Sequence, residues 1–340
     1  MYELWGEKVD IQIPEDVFPD QKWREEKDDL FAHPKHGWFE STFESKKLHY
    51  RCNLPKGKPR AVLIWHHGIL GQSGFGMKLT EGRFTDFALK VRMMNEAGIA
   101  VYAFDALGHG FSEGERFYIP RGKWTINRDD YVKFARFVAS QHYGIPLFLS
   151  GDSYGGCLTV HAAKVLQDDP GEVILGGMCL NCPAIHGELP PAPVTFILQY
   201  GFAPFFPRWT PFFMPHPITA ERVWKLEEPR AYFTDTTEMH GLSQGGVPFC
   251  LGTALGLLLA LRTVQKIIPD LTVPFHSNHG TEDHGVPVSG SEFLVAESKT
   301  PKDCQHFNKI EGGYHGLMSE PDAAKYVASE ISFIEKMLSK

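Results

Sequence analysis

Between residues 61 and 181 the chain alternates four short apolar runs with three longer stretches of helical spacing, and this alternation limits the fold more than any other feature. Ala61-Val-Leu-Ile-Trp65, Ile99-Ala-Val-Tyr-Ala-Phe104, Pro146-Leu-Phe-Leu-Ser150 and Val173 to Asn181 read as strands. Phe84 to Ala97, Asp129 to Gln141 and Tyr154 to Leu166 read as the helices between them. Strands that are apolar throughout need cover on both faces. The pattern therefore predicts an α/β domain with a mostly parallel central sheet flanked by helices. Trp38 to Thr42 and Lys47 to Leu54 read as an antiparallel pair that precedes it.

The rhythm breaks after residue 185. Residues 190–215 pack seven prolines and eight aromatic side chains into 26 positions, and the uncharged run Val247 to Leu261 follows. That run has 15 residues, is interrupted by Pro248, Gly252 and Gly256, and is expected to end at Arg262. A membrane span needs about 20 residues, so it reads as a helix that does not cross a bilayer. The strand pattern resumes at Leu271 to His276, then a helix at Glu292 to Ser298 and a strand at Cys304 to Ile310. A final helix is expected to open on the capping box Ser319-Glu-Pro-Asp322 and to carry the stripe Tyr326 (or Val327), Ile331, Ile334 and Leu338. The expected organisation is an N-terminal arm over residues 1–37, an α/β core over 38–185 and 271–340, and an inserted cap, or lid, over 186–270.

Composition removes several classes of function. The 41 acidic residues outnumber 34 basic ones, the formal charge is −7, and no basic block stands out, which argues against nucleic acid and against a polybasic membrane anchor. Six cysteines are too sparse for a disulfide framework. Cys179 and Cys182 form a C-x-x-C, but inside the apolar run Ile174 to Cys182, so they read as small core residues and not as a zinc or redox motif. The first thirty residues carry ten acidic and four basic side chains and no apolar stretch of signal type. No secretory signal is expected, and a reducing, cytoplasmic setting is.

The chemistry lies in three loops. Gly151-Asp-Ser-Tyr-Gly155 follows a strand and precedes a helix, which is the context a G-x-S-x-G nucleophile requires. Ser153 must sit on a strained turn, so the residues two before and two after it must lack clashing side chains. A serine hydroxyl needs a base to take its proton, and the base needs an orienting acid. In hydrolases built on such a sheet the chain order is Ser, then Asp or Glu, then His. Asp283, in His279-Gly-Thr-Glu-Asp283 past the strand Leu271 to His276, is the expected acid, with Glu282 as the alternative. His315, in Glu311-Gly-Gly-Tyr-His315 past the last strand, is the expected base. The oxyanion is expected to rest on the backbone N–H of Tyr154, next to the nucleophile, and that of Ile69, after His67-Gly68. His66 and His67, and likewise His276, His279 and His284, lack the convergent partners of a metal site, so no metal and no cofactor are expected.

His67-Gly68, Phe104-Asp-Ala-Leu-Gly-His-Gly-Phe-Ser-Glu-Gly114 with Arg116, Gly151-Asp-Ser-Tyr-Gly155, Leu271-Thr-Val-Pro-Phe275, Gly280-Thr-Glu-Asp283 and Tyr314-His315 together resemble the monoacylglycerol lipase family, over about residues 38 to 338. The resemblance implies an α/β-hydrolase core with a lid-like cap, and cleavage of single-chain acyl esters such as monoacylglycerols or lysophospholipids. It departs from the family in one place. Where the monoglyceride lipases carry H-G-x-G-E-H-S-G-R, the acid and arginine positions hold Gly71 and Phe75, and Met318 replaces a further histidine. His67, Gly68, Phe75 and Met318 are thus the expected lining of a less polar alcohol-side pocket.

The leading expectation is a serine ester hydrolase acting through an acyl-enzyme on a small lipid-like ester, with the aromatic cap touching a membrane or micelle surface peripherally. Two alternatives stay open from sequence. One is another small-ester hydrolase, perhydrolase or peptidase on the same fold. The other is a non-catalytic ligand-binding protein.

Overall fold

Eight strands form one sheet in the order β1-β2-β4-β3-β5-β6-β7-β8. They were placed in a computed structural model that describes residues 35–73, 86–187, 191–212, 218–234 and 249–340. The strands are β1 (Lys35–Glu40), β2 (Lys47–Asn53), β3 (Ala61–His66), β4 (Ile99–Phe104), β5 (Leu147–Asp152), β6 (Leu175–Asn181), β7 (Phe275–Gly280) and β8 (Gln305–Ile310). β1 pairs antiparallel with β2, and β2 with β4; every other pairing is parallel. Helices α1 (Asp86–Glu96), α2 (Thr125–Gln141) and α3 (Tyr154–Asp168) connect β3 to β6, while α8 (Ser289–Glu297) lies between β7 and β8 and α9 (Ala323–Leu338) closes the chain.

The fully buried strands still obey the two-residue period of a pleat. Val62 and Ile64 join the apolar layer of α2 and α3, together with Tyr131, Phe134, Leu158 and Ala162. Ala61, Leu63 and Trp65 of the same strand join the opposite layer, under Leu89 and Met94 of α1 and Val327, Phe333 and Ile334 of α9. The helices thus cover both faces, as the continuous apolar runs demand.

Between β6 and β7 the described chain is helical: α4 (Ala192–Phe196) running into a π turn (Ile197–Phe202), then α5 (Ala220–Val223), α6 (Glu227–Thr234) and α7 (Leu251–Ile267). With its following turn, the segment Leu251–Asp270 has the length and apolar composition of a membrane span. It is nevertheless packed on α3 and on the turn Pro120–Gly122, burying Leu251, Thr253, Ala260, Leu261 and Val264. Gly256 lies so close to Ile119 that an added Cβ would come within 2.7 Å of its side chain.

Four expectations are corrected. Helix α7 does not end at Arg262 but runs on to Ile267. Helix α2 begins at Thr125 instead of Asp129, and Asp130 turns inward to accept from the hydroxyls of Ser41 and Thr42. Strand β7 spans Phe275–Gly280, not Leu271 to His276, because its ladder runs on through a polar stretch that an apolar pattern does not reveal. Asn278 is fully buried there, donating to Asn181 Oδ1 at 2.9 Å and accepting from Asn308 at 3.0 Å. The capping box does not form: Ser319 sits in the turn Leu317–Ser319, α9 starts at Ala323, and Asp322 makes no side-chain cap. Glu320 accepts instead from the N–H of Tyr314 at 2.7 Å.

Candidate active site

The parallel strands bring the three expected loops to one edge of the sheet. Ser153 stands between the last residue of β5 and the first of α3 with φ 55° and ψ −122°. A non-glycine residue at such angles stores about 1–3 kcal/mol of strain unless its surroundings hold it. Here the Ser153 N–H donates to Asn181 O at 3.0 Å, and its carbonyl accepts from Ala184 at 2.8 Å and Cys157 at 3.1 Å. The neighbouring glycines are steric necessities: a Cβ on Gly155 would collide with the carbonyl oxygens of His66 and His67, and one on Gly151 with that of Gly155.

Asp283 and His315 meet although 32 residues separate them. His315 Nδ1 lies 2.7 Å from Asp283 Oδ2. The other carboxylate oxygen accepts from the N–H groups of Gly285 at 2.8 Å and Val286 at 2.7 Å. Burial alone would push the Asp283 carboxyl up. His315, the nearby His279 and the Val286 N–H outweigh it and hold the group well below the usual carboxylate range. Glu282, the alternative acid, is exposed. The loops carrying Asp283 and His315 are pinned together by Glu282 N–H to Gly313 O at 3.0 Å, an approach that a Cβ on Gly280 would block.

Beside Ser153 runs the loop after β3. A Cβ on Gly68 would lie 3.2 Å from Ser153 Cβ, so this glycine borders the nucleophile directly. His67 donates from Nδ1 to Gly68 O at 2.6 Å, and its Nε2 accepts from the Ala106 N–H at 3.0 Å. Ile69 stands between Gly68 and Leu70 in the turn closed by Gly71 N–H to Gly68 O. Tyr154 is the first residue of α3, where a backbone N–H has no acceptor within its own helix. Met318 is buried in the α1 and α9 layer with Leu317 and Leu89. Phe75 lies outside the described residues.

Three residues near these loops escaped sequence reasoning. His109 Nε2 accepts from the Leu70 N–H at 3.3 Å while its Nδ1 donates to Leu107 O at 3.0 Å; burial lowers its pKa to about 3, so it keeps the lone pair that this bond needs. Asp105 accepts from Ser73 N–H, Phe111 N–H and His49 Nδ1 at 2.7–3.0 Å. His279 places Nε2 3.3 Å from Asp283 Oδ2. The motifs Phe104-Asp-Ala-Leu-Gly-His-Gly-Phe-Ser-Glu-Gly114 and His279-Gly-Thr-Glu-Asp283 contain all three without showing these roles. Cys182, His279 and Asp283 also offer ligand atoms within 4.8 Å of one another. Burial pushes the Cys182 thiol well up, and both Asp283 oxygens already accept hydrogen bonds, so the donor set suits hydrogen bonding better than ligation. Cys179 and Cys182 are buried and free, as core residues.

A family model described as serine aminopeptidase, S33 matches residues 57–322. Monoglyceride lipase of Rattus norvegicus is 27% identical over 296 residues, covering 85% of this chain and 86% of that one. Monoglyceride lipase of Homo sapiens is 28% identical over 291 residues, with the same coverage. Among solved structures, monoacylglycerol lipase of Paleococcus ferrophilus superposes with a TM-score of 0.66 at 16% identity, over 90% of this chain and all of that one. This structural likeness establishes the fold.

Proposed function

The chain belongs to the serine aminopeptidase S33 family and is a serine hydrolase of the α/β-hydrolase fold, and from that premise we propose that it cleaves a single-chain acyl ester, such as a monoacylglycerol or a lysophospholipid. Ser153 Oγ attacks the ester carbonyl carbon while His315 Nε2 takes its proton. Asp283 orients the His315 ring and offsets its positive charge, and the N–H groups of Ile69 and Tyr154 hold the oxyanion. His315 then returns the proton to the alcohol oxygen, which leaves. Water, deprotonated by His315, attacks the acyl-Ser153 carbonyl, releases the fatty acid and restores Ser153. The observation that carries this reading is the 2.7 Å pairing of His315 with a buried Asp283 on loops beside the strained Ser153 turn. Residues 186–270 serve as a cap, and their exposed aromatic residues rest on a lipid surface peripherally. The six cysteines, none of them in a disulfide, suit a reducing, cytoplasmic setting.

The test is covalent labelling with a fluorophosphonate. Wild type should label, Ser153→Ala should lose all labelling, and His315→Ala should label far more slowly. A panel of monoacylglycerols, lysophospholipids and aromatic esters then ranks substrates by kcat/KM. A folded wild type that takes no label would sink the hydrolytic reading.

A further inference from the structure

Asp283 is held from behind by a second histidine. His279 lies on β7 and is fully buried. Its Nε2 is 3.1 Å from the carbonyl oxygen of Val286, which can only accept, so this nitrogen carries a hydrogen. Asp283 Oδ2, the same oxygen that meets His315, lies 3.3 Å from it. On the far side of the ring, Nδ1 is 2.8 Å from Ser291 Oγ, and Ser291 Oγ is 3.0 Å from Ser277 Oγ. Ser277, Ser291 and His279 are all fully buried. A hydrogen-bonded line therefore runs from Ser277 on β7, through Ser291 on α8, to the His279 ring, whose Nε2 stands 3.3 Å behind the carboxylate.

We propose that His279 is a positioning residue for the hydrolysis, steered by Ser291, that fixes the Asp283 carboxylate and sets how strongly it supports a proton on His315. The inference rests on the reading of Asp283 as the orienting acid. Two routes carry it. His279 pins the Val286 carbonyl, and the N–H of Val286 in turn donates to Asp283 Oδ1, so the turn 283–286 that cradles the acid is held by the ring. The Nε2–H also draws charge from Oδ2, which lowers the carboxylate's basicity and hence its grip on the His315 proton. Among the described residues the polar groups around the ring include Asp283 and the Val286 carbonyl from the loop after β7, Cys182 just after β6, Ser291 from α8, and His315 beyond Asp283.

His279→Leu removes both routes, whereas His279→Gln keeps a donor near the position of Nε2. For the Leu variant kcat should fall about tenfold with KM within about twofold, the size expected for one lost hydrogen bond to a charged group. The acidic limb of its kcat/KM profile should move to higher pH, since the carboxylate then holds the His315 proton more tightly. The Gln variant should regain most of kcat and return the limb. A folded Leu variant with wild-type kcat and limb overturns the proposal, as does a Gln variant equally impaired with the limb unmoved, which would mark a role in shape alone. Where Leu prevents folding, Ser291→Ala takes its place: it leaves the ring but frees Nδ1, and kcat should fall about threefold, an unchanged kcat and limb counting against the inference. Asp283→Asn separates the two levels. If that variant keeps full activity, the assignment of the acid has failed; if it is dead while His279→Leu is normal, only the role of His279 has.

Discussion

The sheet and the segment between β6 and β7 use similar side chains in opposite ways. In the sheet and the helices that cover it even charged groups are buried: Arg51, Lys90, Asp105 and Glu330 are each exposed by no more than 1%. In the inserted segment the aromatic residues face outward, with Phe196, Tyr200, Phe205 and Phe206 more than half exposed. A monomer with no use for such a surface would not keep a cluster of exposed aromatic residues. The sheet thus fixes where atoms stand, to within the tolerance of hydrogen bonds, and under the proposed function the insertion governs what the protein meets. Mutations in the first region should change stability and the acid–base apparatus, and mutations in the second should change only encounter with substrate-bearing surfaces.

The largest effect should come from the buried charge pair under Ser153. Lys90 Nζ on α1 lies 3.1 Å from Glu330 Oε2 on α9, and Glu330 Oε1 accepts from Asn181, which also donates to Asp152 next to the nucleophile. Burial disfavours both charges, but the Glu330 and Asp152 carboxylates outweigh that cost for Lys90 and hold its pKa up. Glu330→Ala strands an ammonium in the core and should cost about 3–5 kcal/mol in urea unfolding. Lys90→Met combined with Glu330→Leu should recover most of it, because a well-packed apolar pair of similar volume is often as stable as the ion pair. A single variant that unfolds at the wild-type midpoint would erase the proposed contrast between the two regions.

How much of this was legible in the sequence follows the same division. The alternation of apolar runs foretold the parallel sheet, since continuous apolar strands have few other solutions. The candidate residues Ser153, Asp283 and His315 each carry a local signature in the sequence, a glycine-flanked turn after a strand. What stayed hidden were polar residues paired across the interior. Asn278 and His279 made the C-terminal half of β7 look like a loop, because burying them is tolerable only when partners distant in sequence satisfy them. Ser319 and Asp322 matched a capping box, but Asp322 makes no side-chain cap and the intervening Glu320 is engaged by the Tyr314 N–H. The composition of the insertion suited a buried core as well as an exposed surface, and only the fold separates the two.

A smaller effect with a characteristic pH dependence is expected at Asp105. Burial alone would raise its carboxyl, but His49, Arg51 and His67 outweigh this and hold it well below the usual range. A carboxyl depressed in the folded state adds stability that is fully present above its unfolded pKa of about 3.9 and is lost as pH falls through the folded value. Asp105→Asn should therefore cost about 2 kcal/mol near pH 7, through weakened hydrogen bonds to Ser73, Phe111 and His49. The gap between wild type and variant in unfolding free energy should stay level down to about pH 5 and narrow below about pH 4. A gap that widens on acidification would mean that the carboxylate is not the stabilising form.

The smallest effect should fall entirely on the insertion. Phe205 is 73% exposed and Phe206 57%, so replacing both by Ser removes little packing, and unfolding free energy should change by less than about 0.5 kcal/mol. Hydrolysis of a short water-soluble ester should be unchanged, because both side chains are largely exposed and neither is among the candidate residues of the site. Binding to zwitterionic phosphatidylcholine vesicles should weaken about tenfold, the equivalent of partly withdrawing two aromatic side chains from an apolar phase. Headgroups of no net charge are the right surface, since a chain of formal charge −7 without a basic block gains nothing from anionic lipid. Equal vesicle binding by wild type and double variant, measured by co-sedimentation, would remove the lipid surface from the reading. The exposed aromatic residues would then need another partner, while the chemistry at the sheet edge would stand untouched.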